Sequence, residues 1–116
     1  MNSGKRILHI EDDPELRAYV TTLLQDKAEI TRTDSIKIAK QLLTDEIFNL
    51  IILDMTLPDG SGMDIINQLN SNKTELPIIV FTGHDVIDGM PNVKRVFLKN
   101  RHNSEDLVKL VDSILG

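Results

Sequence analysis

Five short runs rich in aliphatic and β-branched residues recur along this chain, at residues 6–10, 28–32, 49–53, 76–82 and 94–98, and each has the length of one strand. Between them lie stretches whose apolar residues fall at helical spacing. These are Leu16, Val20, Leu23 and Leu24; then Ile36, Ala39, Leu42, Leu43 and Ile47; then Ile65, Ile66 and Leu69; and, after the last run, Leu107, Leu110, Val111 and Ile114. Strand runs that are apolar on both faces and alternate with amphipathic helices require a parallel sheet covered on both sides and joined by right-handed crossovers.

The expected class is therefore α/β: a doubly wound, five-stranded parallel sheet in the flavodoxin-like order 2-1-3-4-5, with any site at the carboxyl ends of the strands beside the topological switch. Residues 83–92 weaken the pattern, because Gly83, Gly89 and Pro91 crowd a short connection. At most one helical turn is expected over residues 85–88, so the fourth helix is shortened or missing.

The 116 residues suit one domain spanning residues 1–116, with no repeat, linker or low-complexity tract. No apolar run approaches the roughly 18–20 residues that cross a bilayer, and no signal-peptide pattern opens the chain, so a cytoplasmic, membrane-free protein is expected. With no cysteine, a disulfide framework, a thiolate zinc site and a cysteine nucleophile are all excluded. A net charge of −5, and Tyr19, Phe48, Phe81 and Phe97 as the whole aromatic complement, argue against a nucleic-acid surface.

Glu11, Asp12 and Asp13 follow directly on the first strand run, and Pro14 follows them. Asp13 is accounted for as a helix N-cap with Pro14 as the first helical residue. Capping leaves Glu11 and Asp12 unexplained. Asp54 closes the third strand run, where fold logic brings its carboxylate beside those two. Two like charges about 4 Å apart cost roughly 4 kcal/mol at an effective dielectric of about 20, so three carboxylates call for a compensating cation. Hard oxygen ligands without cysteine or a histidine pair favour magnesium, with manganese as the alternative. Thr82 closes the fourth run and Lys99 the fifth, offering one hydroxyl donor and one fixed positive charge to an incoming phosphoryl group. His9, His84 and His102 have no convergent metal spacing; His9 is expected to be a satisfied strand histidine. Met55, Met63 and Met90 read as gap-filling or interface residues rather than cofactor contacts. Ser104 is the expected N-cap of the last helix, with Glu105 and Asp106 in its first turn.

Taken in order, Ile7-Leu8-His9-Ile10-Glu11-Asp12-Asp13-Pro14, then Leu50-Ile51-Ile52-Leu53-Asp54-Met55-Thr56-Leu57-Pro58-Asp59-Gly60-Ser61-Gly62, then Pro77-Ile78-Ile79-Val80-Phe81-Thr82-Gly83, then Phe97-Leu98-Lys99, the chain resembles the response-regulator receiver domain along essentially its whole length. The resemblance implies that Asp54 takes phosphate from a phosphohistidine of a histidine kinase or histidine phosphotransfer domain. It implies Asp12 as a direct magnesium ligand, Glu11 acting mainly through a bound water, and the Thr56 carbonyl as a further ligand. Thr82 becomes the switch hydroxyl, Lys99 the counter-ion of the phosphoryl group, and Gly83 the residue that leaves it room. The signal then passes to a downstream protein.

Three features depart from the family pattern. Asn100 follows Lys99 where the family usually has proline, so the cis peptide expected there is not supported; the helix beginning at Asn103 or Ser104 also starts one residue late. Val96 occupies the position of the family's switch aromatic, with Phe97 displaced by one. The segment between Thr82 and Lys99 is short, so phosphorylation is expected to act through Thr82 on residues 83–88 rather than around Val96. The ending from Phe97 to Glu105 resembles receivers appended to hybrid sensor kinases, which implies a terminal receiver of such a kinase. Two other classes compete. A haloacid-dehalogenase-type hydrolase needs a second Asp two residues after the nucleophile, and Thr56 stands there. A pseudo-receiver would keep the fold as an interaction module without phosphorylation.

Overall fold

The computed structural model describes residues 4–83, 90–100 and 102–116. Strand β1 (Arg6–Ile10) leads to helix α1 (Pro14–Leu24), β2 (Glu29–Thr33), α2 (Ile36–Asp45) and β3 (Leu50–Asp54). A two-stranded hairpin, β4 (Thr56–Leu57) and β5 (Gly60–Ser61), precedes α3 (Met63–Ser71); β6 (Ile78–Thr82), β7 (Val93–Leu98) and α4 (Ser104–Leu115) complete the order. The main sheet is parallel throughout, in the order β2-β1-β3-β6-β7. Counted along the main sheet alone, this is the expected flavodoxin-like 2-1-3-4-5. The expected shortening of the fourth helix falls on residues 84–89, outside the described residues, as do all but Gly83 of residues 83–88, through which phosphorylation is expected to act.

Every residue of β3 and β6 is buried, because both strands are central and covered on both faces. The sheet edges β2 and β7 are half exposed. Two apolar clusters form the core. One joins Leu8, Ile10, Ile51, Leu53 and Val80 to α2 and α3 through Ile36, Ala39, Ile65 and Ile66, with Met55 buried in it and Met63 and Met90 packed against it. The other joins Ile7, Ile52, Ile79 and Phe81 to α1 and α4 through Val20, Leu24, Leu107 and Val111. Val96 packs on the first cluster and Phe97 lies in the second. Side chains alternate faces along a strand, so displacing the aromatic by one residue moves it to the opposite side of the sheet.

The expected runs locate the strands to within a residue or two. Residues 76–82 overshoot at their start because Pro77 has no N–H for the ladder, which begins at Ile78. Asp13 caps α1 by accepting from the Glu15 N–H at 2.9 Å, with Pro14 as the first helical residue. At α4 the expected cap is corrected by one residue. Asn103, held in extended backbone, accepts from the Glu105 N–H at 2.8 Å, while Ser104 is already helical. The Lys99–Asn100 peptide is trans.

Candidate phosphoacceptor site

The carboxyl ends of β1, β3, β6 and β7 open onto one crevice, as the parallel sheet requires. Glu11, Asp12 and Asp54 each offer a carboxylate oxygen, and these lie within 4.8 Å of one another. Asp54 is 2% exposed and Glu11 is fully buried, whereas Asp12 is exposed. Lys99 crosses from the far edge of the sheet: its Nζ donates to Asp54 Oδ2 at 2.9 Å and to Glu11 Oε2 at 3.3 Å. Thr82, also buried, lies beside it, and its carbonyl accepts the Lys99 backbone N–H at 2.9 Å.

Short-range turns fix the acidic half. Glu11 Oε2 accepts the Asp13 N–H at 3.1 Å, and Asp54 Oδ1 accepts the Thr56 N–H at 3.2 Å. Thr56 thus lies beside Asp54, two residues on in β4. Gly62 approaches so closely that an added Cβ would sit 2.6 Å from the Asp54 carbonyl oxygen and 3.0 Å from Met55 Sδ. Only a residue without a side chain fits there. Beside Thr82, a Cβ added to Gly83 would meet no described atom within 4 Å.

Burial pushes the Glu11 carboxyl up to about 7; the Asp54 charge adds to this, while the Asp13 N–H and the Lys99 charge oppose it. Burial pulls the Lys99 ammonium down, but its hydrogen bond and charge interaction with Asp54, with Glu11 behind, outweigh burial and raise it above its ordinary value. His9, buried and facing the charges of Arg17, Arg32 and Lys99, falls to about 3 and is neutral. Its Nδ1 has no hydrogen-bond partner among the described residues, so the expectation of a satisfied strand histidine is corrected.

Glu11 Oε1 is likewise buried without a hydrogen-bond partner among the described residues. Such an atom carries a desolvation cost unless something meets it. An orphaned carboxylate oxygen in a set of three hard oxygen donors fits a small divalent cation.

Two features escaped the sequence reading. The β4–β5 hairpin carries Asp59 onto the start of α2, where it accepts from the Ile36 N–H at 2.8 Å, the Lys37 N–H at 3.1 Å and the Ser35 hydroxyl at 2.9 Å. The turn string Leu57-Pro58-Asp59-Gly60 was the available signal. His102 packs into the aromatic cluster behind Lys99 and has no local signal.

A family model, the response regulator receiver domain, matches residues 7–111. The chain is 31% identical over 87 residues to the response regulator protein PilR of Pseudomonas aeruginosa, covering 74% of this chain and 20% of that protein. It is 32% identical over 81 residues to the transcriptional regulatory protein PhoP of Escherichia coli, covering 69% and 36%. The chain thus spans about a fifth to a third of the length of these relatives. Among solved structures it is similar to the response regulator TrrA of Thermotoga maritima in complex with Mg2+ and BeF, at 24% identity and a TM-score of 0.81, covering 95% of this chain and 98% of that one. TrrA has also been solved in complex with the histidine kinase ThkA.

Proposed function

The chain belongs to the response regulator receiver domain family, and from that membership and its strand-end crevice we propose that it is a phosphoacceptor of a two-component phosphorelay in the cytoplasm, acting as one receiver unit. The donor is a phosphohistidine of a histidine kinase or histidine phosphotransfer domain. The complexes that TrrA forms with Mg2+ and BeF and with ThkA support both the cofactor and the partner class. The observation that carries the reading is the buried Asp54 carboxylate with Lys99 Nζ 2.9 Å away.

An Asp54 oxygen attacks phosphorus; the O–P bond forms as the N–P bond to the donor imidazole breaks, and the imidazole leaves. Transfer of this kind depends mainly on positioning and on stabilising the phosphoryl oxygens. Lys99 supplies a fixed positive charge to one oxygen, and the Thr82 hydroxyl donates to another. Asp12, Asp54 and the Thr56 carbonyl would hold magnesium or manganese, with Glu11 acting mainly through a water, and the ion would neutralise charge on the donor phosphate. The acyl phosphate then adds charge and strong acceptor oxygens that draw the Thr82 hydroxyl inward, a local change that a downstream protein can read.

Incubation with acetyl phosphate and magnesium, followed by intact-mass measurement, tests the reading. The native chain gains one phosphoryl group, and Asp54→Asn gains none while keeping its fold. A native chain that gains nothing is a pseudo-receiver; undiminished labelling of Asp54→Asn removes Asp54 from the role.

A further inference from the structure

Lys99 Nζ spans to two carboxylates, yet the turn that carries it, between β7 and α4, has no proline to stiffen it. Its backbone is held on one side by the Thr82 carbonyl. On the other side stands His102. The imidazole Nδ1 lies 3.2 Å from the Leu98 carbonyl oxygen, the residue immediately before Lys99. A carbonyl oxygen can only accept, so Nδ1 carries the proton and donates. Nε2 is buried with no hydrogen-bond partner among the described residues.

Aromatic rings fix the imidazole in this orientation. It stands edge-on to Phe81 at 5.1 Å and to Tyr19 of α1 at 5.4 Å between centroids, with Phe97 at 6.3 Å. Phe81 and Phe97 stack on each other at 5.4 Å. Phe81 is the ladder partner of Asp54 and precedes Thr82; Phe97 is two residues before Lys99. The ring therefore touches β6 and β7, the strands that lead to Thr82 and Lys99, and through Phe81 it lies one strand from Asp54.

We infer that His102 is a positioning residue for Lys99: wedged between Tyr19, Phe81 and Phe97, its Nδ1–H ties the Leu98 carbonyl and fixes the backbone from which Lys99 reaches Asp54 and Glu11. This rests on the reading above that Lys99 faces the incoming phosphoryl group. A small displacement of a charged group that must meet a transition state is costly, and a full ångström can cost on the order of a hundredfold in rate.

Three variants of the full chain test the assignment. His102→Phe keeps an aromatic ring but removes the donor. His102→Asn places an amide donor near the position of Nδ1, and His102→Ala removes both. Acetyl-phosphate labelling of Asp54 is expected to slow about tenfold in His102→Phe and to recover substantially in His102→Asn. Magnesium affinity, measured by titration, should not fall in either, because His102 acts on the lysine and not on the acidic half. In the native chain the Lys99 ammonium should give a 15N–1H correlation protected from water exchange, and His102→Phe should lose it. Should His102→Phe fail to fold, His102→Asn compared with His102→Ala carries the same test.

Native-rate labelling of His102→Phe, or a parallel fall in labelling and magnesium affinity, overturns the inference. So does His102→Asn performing no better than His102→Phe. If the native chain is not labelled at all, the phosphoacceptor reading fails, and the Lys99 resonance alone still decides whether His102 holds the lysine.

Discussion

The two halves of the crevice are built differently. The acidic half, Glu11, Asp12 and Asp54 from β1 and β3, is shaped by hydrogen bonds spanning two residues and by the close approach of Gly62. The basic half, Thr82 and Lys99 from β6 and β7, is held by a ring cluster assembled from α1, β6, β7 and the turn before α4. The first stores repulsion and a buried carboxylate oxygen with no hydrogen-bond partner among the described residues; the second supplies the charge that partly offsets them. Tight local geometry places the groups that would hold the ion, while long-range packing aims the group that would meet the phosphate.

The largest effect should come from relieving the acidic half. Without metal, Glu11 has a folded-state value raised to about 7 from an ordinary 4.5, so the folded protein binds more protons than the unfolded chain between those values. This contribution to stability is complete below about pH 4.5 and is lost as the pH rises through about 7. Thermal unfolding of the metal-free chain should accordingly show a falling Tm over that window. Magnesium should reverse the trend by favouring the ionised carboxylates. At a hundredfold excess over its Kd it adds about 2.7 kcal/mol, an increase in Tm on the order of 10 °C for a chain of this size. Asp12→Ala should abolish most of that increase. A native Tm indifferent to magnesium would count heavily against an ion at this site.

A smaller effect separates geometry from charge. Gly62→Ala places a methyl 2.6 Å from the Asp54 carbonyl oxygen, and backbone cannot swing aside as a flexible side-chain tip can. The expected cost is about 1–3 kcal/mol, with slower labelling, because the strand end that carries Asp54 must shift. The matching change beside the basic half, Gly83→Ala, meets no described atom and should leave Tm close to native. Equal Tm values for the two variants would remove the contrast between a tightly built acidic half and a roomier neighbour of Thr82.

That contrast also explains what could be read from the chain before its structure. The five strands, their parallel order and the gathering of Glu11, Asp12, Asp54, Thr82 and Lys99 at one edge all follow from burial periodicity and residues adjacent to strand ends, which are local signals. The cap of α4 was displaced by one residue because Asn103 and Ser104 are both good capping types, and only the backbone decides between them. The hairpin was missed because strands of two residues are too short for any period to register, although the Pro58-Asp59-Gly60 turn chemistry was present. His102 could not be found at all: its place depends on Tyr19, Phe81 and Phe97, which only the finished fold brings together.

The smallest predicted effect tests how the acidic half is tied to the rest of the domain. Asp59 is exposed, yet it accepts from two backbone N–H groups and the Ser35 hydroxyl at the start of α2, a helix that Ser35 also caps through its own bond from the Ile38 N–H. The Ile36 and Lys37 N–H groups hold the Asp59 carboxyl below its ordinary 3.8; burial opposes them, and the Ser35 hydroxyl adds a smaller share in their favour. A depressed carboxyl contributes stability that is present above 3.8 and is lost as the pH falls through the folded-state value. Asp59→Ala should therefore lower Tm modestly at neutral pH, and the gap from the native chain should close well below pH 3.8. Solvent screening and the surviving Ser35 cap keep the effect small. Because the tether belongs to the hairpin that follows Asp54, the same variant should also loosen the Thr56 N–H bond to Asp54, which amide exchange at Thr56 would register as faster exchange. A Tm gap that persists unchanged in acid would mean that Asp59 contributes through packing and not through its charge. Unchanged exchange at Thr56 would show that the acidic half holds its shape without the link to α2.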